Sequence, residues 1–355
     1  MIDRLGKYRV TEVLGEGAMG IVYRGFDPDI RRQVALKTMR ALGDGDGVSG
    51  VSPADRFRNE ARAAGRLQHP GIVAVYDFGR DAGVDFIAME YVRGHTLSRY
   101  LAQAAAGQLD IDDNDVQSII GQLLDALHHA HEQGVWHRDV KPSNLIITQD
   151  GKVKVSDFGI ARIESAELTL AASAIGTPLY MAPEQFQGRA IDRRVDLYAT
   201  GVVLYQMLTK RTPFSGAAET LMYKAVHEAP VLPSRLPGLA HLQPYDEVLA
   251  RALAKRPEQR FADAVQFRDA LVAVAGRMHA AAVSNATVTA LLPPRPAAAA
   301  ADRGTGSSVP SHFDAVVLAQ AEASLVRHVG PLAQGLVRRA ARECHDLPAR
   351  YARLA

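Results

Sequence analysis

The pattern of apolar residues changes once along this chain, from a strand-like to a helix-like spacing. Residues 8–40 alternate apolar and polar side chains in short runs separated by Gly-rich or Asp-Pro turns, which predicts an antiparallel sheet. A helix is predicted from Ser52 to about Leu67, followed by two strand-like runs, IVAVYDFG and DFIAMEYV. From about Thr96 to Ala275 the spacing is largely helical. The sequence therefore predicts a strand-rich lobe followed by a larger helical lobe.

The composition changes again after the helical region. Residues 281–312 are rich in Pro, Ala, Gly and Ser and have little apolar surface to bury, which predicts a linker. Helical spacing resumes over residues 313–355, interrupted by Gly330-Pro331 and Pro348, and predicts two or three short helices. Their arginines lie beside apolar stripes and favour a solvated basic face. A partner-binding or oligomerising module and a weak contact with anionic lipid are the alternatives.

Charge and cysteine content bear on the class of protein. The 41 Lys and Arg residues nearly balance the 39 Asp and Glu residues, so the net charge of +2 gives no overall attraction to nucleic acid. The single cysteine, Cys344, cannot form an intrachain disulfide. The first residues lack the apolar core of a signal peptide, and no run approaches the roughly 20 apolar residues of a membrane span. We expect a cytoplasmic protein that has no membrane span and binds no nucleic acid.

A glycine-rich stretch, LGEGAMGIVYRG, lies between two strand-like runs and contains Gly15, Gly17 and Gly20. Alone, this G-x-G-x-x-G pattern is compatible with a dinucleotide-binding turn or a plain flexible hairpin. A dinucleotide motif runs into a helix, whereas the segment IVYRGF that follows is strand-like. The pattern therefore favours a hairpin whose backbone N–H groups lie over phosphates.

Two charged residues follow this stretch. Lys37 ends the run VALK, and Glu60 lies in the predicted helix within RFRNEARAA. A buried pair between them would aim the Lys37 ammonium at phosphate oxygens. A surface lysine and an ordinary charge on a helix surface are the alternatives.

The stretch GVWHRDVKPSNLI crowds charged and amide groups onto a short loop. Asp139 and Asn144 lie five residues apart, and Asp157 follows in SDFG. Together they supply a carboxylate base and two oxygen ligands of the kind that Mg²⁺ prefers. Lys141 would face the transferred phosphoryl group. The alternative is a polar, turn-forming loop. The order and spacing of all three residues argue against it.

These motifs occur in one order with GTPLYMAPEQ, DLYATG and RPEQRF. Over about residues 8–275 the chain resembles protein kinases of the bacterial Ser/Thr type related to eukaryotic kinases, the Hanks-type kinases. The resemblance implies an α+β, two-lobed kinase fold over residues 1–280. An antiparallel, β-rich N-lobe would cover about residues 1–92 and a mainly helical C-lobe about 93–280.

The resemblance also implies ATP as a substrate and Mg²⁺, with Mn²⁺ as a substitute, as the metal. Asp139 would accept or orient the proton of the substrate hydroxyl, Asn144 and Asp157 would hold the metal, and Lys37 would contact the α- and β-phosphates and pair with Glu60. Ala35 and Leu145 would sandwich the adenine. The implied nucleotide-binding residues are Leu14, Gly15, Gly17, Gly20, Val22, Ala35, Lys37, Met89 (the gatekeeper), Glu90 and Val92 (the hinge) and Leu145.

The resemblance further implies serine or threonine as the acceptor. Lysine two residues after the catalytic aspartate is typical of Ser/Thr kinases, and Thr177 of GTPLY would join Asp139 and Lys141 in shaping the substrate platform. A small-molecule kinase and a scaffold that keeps the fold without catalysis are the alternative functions. GTPLYMAPEQ, which builds a peptide platform, argues against the first. Two architectural contacts are also implied: Glu184 with Arg260, and Asp196 with the backbone of the HRD loop.

By the same resemblance, Arg138 would be the receptor for a phosphate on the activation segment, ARIESAELTLAASAIGTPLY. The predicted autophosphorylation site is Thr169, with Ser173 second. Protein substrates with Ser or Thr acceptors are the expected partners. A phosphothreonine-binding partner, reading Thr287 or Thr289, and a homo-oligomer formed through the N-lobe or the C-terminal helices are further candidates.

Overall fold

The computed structural model describes residues 2–17, 20–39, 64–158 and 178–275, and the statements below concern these residues. The strands are β1 (Arg4–Leu5), β2 (Tyr8–Gly17), β3 (Gly20–Asp27), β4 (Arg32–Thr38), β5 (Val75–Asp81), β6 (Val84–Glu90), β7 (Gly94–Thr96), β8 (Leu145–Thr148) and β9 (Val153–Val155). The α-helices are α1 (Leu97–Ala105), α2 (Asp113–Glu132), α3 (Pro183–Phe186), α4 (Arg194–Thr209), α5 (Ala218–His227), α6 (Asp246–Ala252) and α7 (Ala264–Ala275).

The first lobe is an antiparallel sheet of six strands in the order β1-β2-β3-β4-β6-β5. Its two faces follow from the alternation of side chains along each strand. In β4, Val34 and Leu36 pack with Tyr8 and Phe86 in one apolar cluster. Ala35 belongs to a second cluster on the other face. That second face forms one wall of the cleft described below.

The second lobe is built around two long helices, α2 and α4. Asp112 caps α2, its side chain accepting a hydrogen bond from the Asp115 N–H at 2.8 Å. Helix α4 is buried on nearly every side, which explains why its sequence is apolar almost all around. It ends at Lys210, which adopts a left-handed conformation with φ 59°. The core of this lobe gathers apolar side chains from both helices and from α6 and α7.

A small sheet, ordered β7-β8-β9, lies beside the hinge between the lobes. Gly94 begins β7 and passes so close to β8 that a Cβ there would meet the carbonyl carbon of Ile147 at 2.8 Å. Strand β9 also bonds the segment before β5, since the Val73 N–H donates to the Val155 carbonyl at 2.9 Å and the Val155 N–H donates to the Gly71 carbonyl at 2.8 Å. These bonds tie the first lobe to the floor of the cleft.

The predicted fold class is confirmed: a curled antiparallel sheet is followed by a helical lobe. Of the predicted helix from Ser52 to Leu67, all but the last residues lie outside the described ranges, as do the predicted linker 281–312 and segment 313–355. The domain and lobe boundaries remain proposals. No helix within the described ranges is long and apolar enough to cross a bilayer.

Candidate active site

A cleft of about 720 Å³ opens between the second face of the large sheet and the loops of the helical lobe. Its apolar wall comes from the cluster around Ala35, Val73 and Met89. Ten of the predicted nucleotide-binding residues line it: Leu14, Gly15, Gly17, Gly20, Val22, Ala35, Lys37, Met89, Glu90 and Val92. The cleft has one apolar end, at the hinge, and one charged end, at Lys37 and Asp157.

Leu145, predicted to sandwich the adenine with Ala35, does not line the cleft, and this prediction is wrong. Its side chain is fully buried in the core of the helical lobe. The next residue, Ile146, lines the cleft instead and packs against the cluster that contains Ala35. Both residues lie on β8, where successive side chains point to opposite faces. A shift of one position therefore moves the predicted contact from the cleft into the core.

Further residues that were not predicted from the sequence also line the cleft. Val73 carries a signal, because it lies in the strand-like run IVAVYDFG, whereas the run that contains Ile146 is too short for alternation to select one face. The polar residues that follow the hinge or flank the catalytic groups carry no pattern of their own. These are Tyr91, His95, Thr96, Arg99, Ser143 and Ser156.

The loop between α2 and β8 brings three predicted residues together. The Lys141 ammonium lies 2.6 Å from Asp139 Oδ2. The Asn144 Nδ2 donates to the Asp139 backbone carbonyl at 2.9 Å and lies 3.3 Å from Asp139 Oδ2. Because the amide nitrogen is committed to these oxygens, the amide oxygen is the atom left to bind a cation. A short turn of 3₁₀-helix, Pro142–Asn144, holds Asn144 in this position.

Asp196, buried near the start of α4, fixes the approach to this loop. Its two carboxylate oxygens accept the backbone N–H groups of His137 at 2.8 Å and of Arg138 at 2.7 Å, and His131 Nε2 lies 2.8 Å from Oδ2. The predicted contact between Asp196 and the HRD backbone is thus confirmed. These bonds hold Arg138 at a positive φ of 63°, a strained conformation for a residue with a long side chain.

His137 connects the loop to the segment that carries Asp157. Its Nε2–H donates to the Ser156 carbonyl at 2.8 Å, while Nδ1 accepts the Asp139 N–H at 3.2 Å. The ring also packs against Phe158, with centroids 4.7 Å apart. One ring nitrogen thus contacts the segment before Asp157, and the other contacts the backbone of Asp139. His137 therefore positions both carboxylates of the site through backbone contacts.

Lys37 and Asp157 meet at the charged end of the cleft. The ammonium lies 2.7 Å from Asp157 Oδ1, and the two side chains are 11% and 28% exposed. Burial alone would raise the pKa of the Asp157 carboxyl, but attraction and hydrogen bonding to Lys37 outweigh burial and hold the pKa below its ordinary value. Asp157 has a φ of 62°, so its backbone is also strained. The predicted partner Glu60 lies outside the described residues.

The donor set suits a hard cation. The Asn144 amide and the Asp157 carboxylate offer oxygen atoms, and Mg²⁺ takes one or two protein carboxylates with water and phosphate as its remaining ligands. Within the described ranges, no group of three or more His, Cys, Asp or Glu residues could enclose a metal by itself. The Asn144 and Asp157 oxygens fit a divalent metal ion shared with a phosphate-bearing ligand.

Of the predicted regulatory residues, only Arg138 lies within the described ranges. Thr169, Ser173 and Thr177 lie outside the described residues. The Arg138 guanidinium lies 5.5 Å from the ring centroid of Trp136, and the Arg138 carbonyl accepts a bond from Gln185 Nε2 at 3.4 Å. The role assigned to Arg138 stays a prediction.

Both the sequence and the fold of this chain are similar to those of known proteins. The protein kinase domain family model matches residues 8–268. A probable serine/threonine-protein kinase of Streptomyces coelicolor, SCO3848, is 41% identical over 272 residues, which cover 74% of this chain and 39% of that protein. Pkn3 of Myxococcus xanthus, a serine/threonine-protein kinase, is 40% identical over 312 residues, covering 83% and 55% respectively.

The fold is also similar to that of a solved kinase domain. The crystal structure of the PknI kinase domain of Mycobacterium tuberculosis matches with a TM-score of 0.61 and 31% identity, covering 76% of this chain and 96% of that one. The serine/threonine-protein kinase PknB of the same organism is 40% identical over 277 residues, covering 76% of this chain and 43% of its own length. The chain spans about half the length, or less, of the curated relatives named here.

Proposed function

The chain belongs to the protein kinase family, and from that premise we propose that it transfers the γ-phosphoryl group of ATP to serine and threonine hydroxyls of proteins. The observation that carries the proposal is the convergence of Lys37, Asp157, Asn144, Asp139 and Lys141 at one end of a single cleft. The other end offers the apolar wall and the hinge backbone that an adenine needs.

Each charged group has a task in this reaction. Lys37 binds the α- and β-phosphates, and the Asn144 amide oxygen and the Asp157 carboxylate hold Mg²⁺, for which Mn²⁺ can substitute. The metal, when bound, would supply positive charge that screens the phosphate oxygens. Asp139 orients the acceptor hydroxyl and takes its proton. Lys141, 2.6 Å from Asp139, faces the phosphoryl group as charge develops on it.

The apolar end of the cleft binds the base. Ala35 from β4 and Ile146 from β8 both line the cleft and would enclose the ring, with Ile146 replacing Leu145 in this role. Met89 limits the depth of the pocket, and the backbone of Glu90 and Val92 offers hydrogen bonds to the adenine edge. The glycine-rich turn, containing Gly15, Gly17 and Gly20, covers the phosphates. Leu14 and Val22 pack against the base from the first lobe.

Serine and threonine are favoured as acceptors because the relatives named above are serine/threonine-protein kinases. Lys141 and Thr177 complete the platform for the acceptor in this proposal. Autophosphorylation at Thr169, or at Ser173, would place a phosphate opposite Arg138 and order the activation segment. The protein acts in the cytoplasm on protein substrates, and a phosphothreonine-binding partner or a second copy of the chain remain candidate partners.

The test uses the full chain with Mg²⁺ and radiolabelled ATP on a generic basic protein, followed by phosphoamino acid analysis. We expect phosphoserine and phosphothreonine, and label on the enzyme itself. Label on tyrosine alone contradicts the acceptor class. Label transferred only to an aminoglycoside or to choline favours a small-molecule kinase, and ATP binding with no transfer to any acceptor favours a scaffold.

A further inference from the structure

A half-buried ion pair joins the hinge to the sheet beneath the cleft. The Lys154 ammonium lies 2.8 Å from Glu90 Oε2, and the two side chains are 18% and 26% exposed. Glu90 ends β6 and lines the cleft, whereas Lys154 lies on β9 and does not line it. The pair therefore links a nucleotide-facing residue to one that has no direct access to a nucleotide.

Glu90 is held at a second point, on the segment that precedes β5. Its backbone N–H donates to the Ala74 carbonyl at 2.8 Å, and its carboxylate accepts the Ala74 N–H at 3.3 Å. Ala74 follows Val73, whose N–H bonds the Val155 carbonyl next to Lys154. Three segments thus meet at one carboxylate: the end of β6, the entry to β5, and β9.

This junction adjoins both functional ends of the cleft. Tyr91 and Val92, the next residues after Glu90, line the cleft at its apolar end. Strand β9 leads through Ser156 to Asp157 at the charged end. We propose that Lys154 is a positioning residue for the nucleotide, acting through the Glu90 carboxylate to hold the hinge backbone where the adenine edge meets it. This inference rests on the function proposed above.

The electrostatics of the junction explain why the lysine is needed. Without Lys154, the Glu90 carboxylate keeps one weak N–H donor at 3.3 Å while three quarters of its side chain surface is withdrawn from water. A partly buried carboxylate without a cation is costly and turns toward solvent. Because the carboxylate and the hinge backbone belong to the same residue, that movement displaces the groups that meet the adenine.

The test uses calorimetry to measure how tightly the full chain binds adenosine, which has no phosphate. Lys154→Met should weaken adenosine binding about fivefold, the equivalent of roughly 1 kcal/mol. Lys154→Arg, which can still pair with Glu90, should bind within about twofold of wild type. Lys154→Gln, a second neutral variant, should also weaken binding. Lys7→Met is the matched control, because Lys7 pairs with Asp27 at 3.1 Å and neither residue lines the cleft.

Steady-state kinetics give the second readout. In Lys154→Met the KM for ATP should rise by a similar factor, while kcat at saturating ATP stays within about twofold of wild type. Unchanged adenosine binding in both neutral variants overturns the inference, as does an equal loss in Lys7→Met or a fall in kcat at constant KM. If the wild-type chain itself binds neither adenosine nor ATP, the proposed function fails, and the role of Lys154 fails with it.

Discussion

The Glu184 carboxylate and the Arg260 guanidinium form a buried, two-point ion pair, with Oε1–Nη1 and Oε2–Nη2 distances of 2.7 Å each. The Arg260 side chain is fully buried, and it also donates from Nε to the Ala254 carbonyl at 2.7 Å and from Nη2 to the Lys255 carbonyl at 3.1 Å. The pair predicted between the APE and RPEQR motifs is thus confirmed. The pair joins helix α3, which contains Glu184, to the loop before α7, which contains Arg260.

Breaking this pair should destabilise the helical lobe. Glu184→Gln leaves a buried guanidinium without its counter-charge, and we expect a loss of about 3–5 kcal/mol in the free energy of unfolding. Urea unfolding followed by circular dichroism measures it. The control is Arg268→Gln, which breaks a more exposed pair with Asp125 and should cost about 1 kcal/mol or less. Equal losses in the two variants would contradict the role of burial.

Gly94 should tolerate no side chain. An alanine Cβ would meet the carbonyl carbon of Ile147 at 2.8 Å, and because that atom belongs to the backbone, β7 and β8 would have to separate. We expect Gly94→Ala to lower the melting temperature and weaken ATP binding together. Gly15→Ala is the contrast, since a Cβ there meets nothing within 4 Å and the melting temperature should not change. A Gly94→Ala variant as stable as wild type would show that the two strands separate easily.

Substitution of Leu145 should lower stability, whereas substitution of Ile146 should weaken nucleotide binding. Leu145→Ala removes a fully buried side chain from the core, and we expect a loss of about 2–5 kcal/mol in unfolding free energy. Ile146→Ala should instead raise the KM for ATP by roughly tenfold, because it removes an apolar wall of the cleft. Unfolding curves and ATP titrations of both variants decide the matter. A raised KM in Leu145→Ala together with a loss of stability in Ile146→Ala would instead show that Leu145 contacts the adenine.

This pair of residues also shows where prediction from the sequence ends. The ordered motifs predicted the two-lobed fold and most of the lining residues, because each motif fixes residue types at set spacings. They did not decide which of two neighbouring apolar residues on β8 faces the cleft. Strands β7 to β9 have three or four residues each, too few to show a period. The Glu90–Lys154 pair joins positions 64 residues apart, a contact that no local pattern indicates.

The Lys37–Asp157 pair should govern how the site responds to acid. Since Lys37 holds the pKa of Asp157 below its ordinary value, the pair contributes stability above the unfolded-state pKa, and this contribution disappears as the pH falls through the folded-state pKa. In Lys37→Met the effect of burial is opposed only by the weaker attraction of His137 and Lys141, so the pKa of Asp157 should rise. NMR titration of the carboxyl carbons in both proteins measures the shift. A pKa that stays low in the variant would mean that other groups stabilise the carboxylate.

Substitution of Asp139 should impair phosphoryl transfer, whereas substitution of Asp157 should impair metal-dependent nucleotide binding. Asp139→Asn keeps a side chain of the same shape beside Lys141 and Asn144, so nucleotide binding should persist while kcat falls by a factor on the order of 100–10,000, the usual contribution of a general base. Asp157→Ala removes a carboxylate that the proposal assigns to the metal, and it leaves Lys37 without its partner at 2.7 Å. ATP binding measured with and without Mg²⁺ should therefore lose its metal dependence in Asp157→Ala and retain it in Asp139→Asn. Circular dichroism of both variants controls for folding, because neither side chain lies in the core. A folded Asp139→Asn protein with near wild-type kcat would remove Asp139 from the role of base, and metal-dependent binding that survives in Asp157→Ala would assign the cation to other ligands.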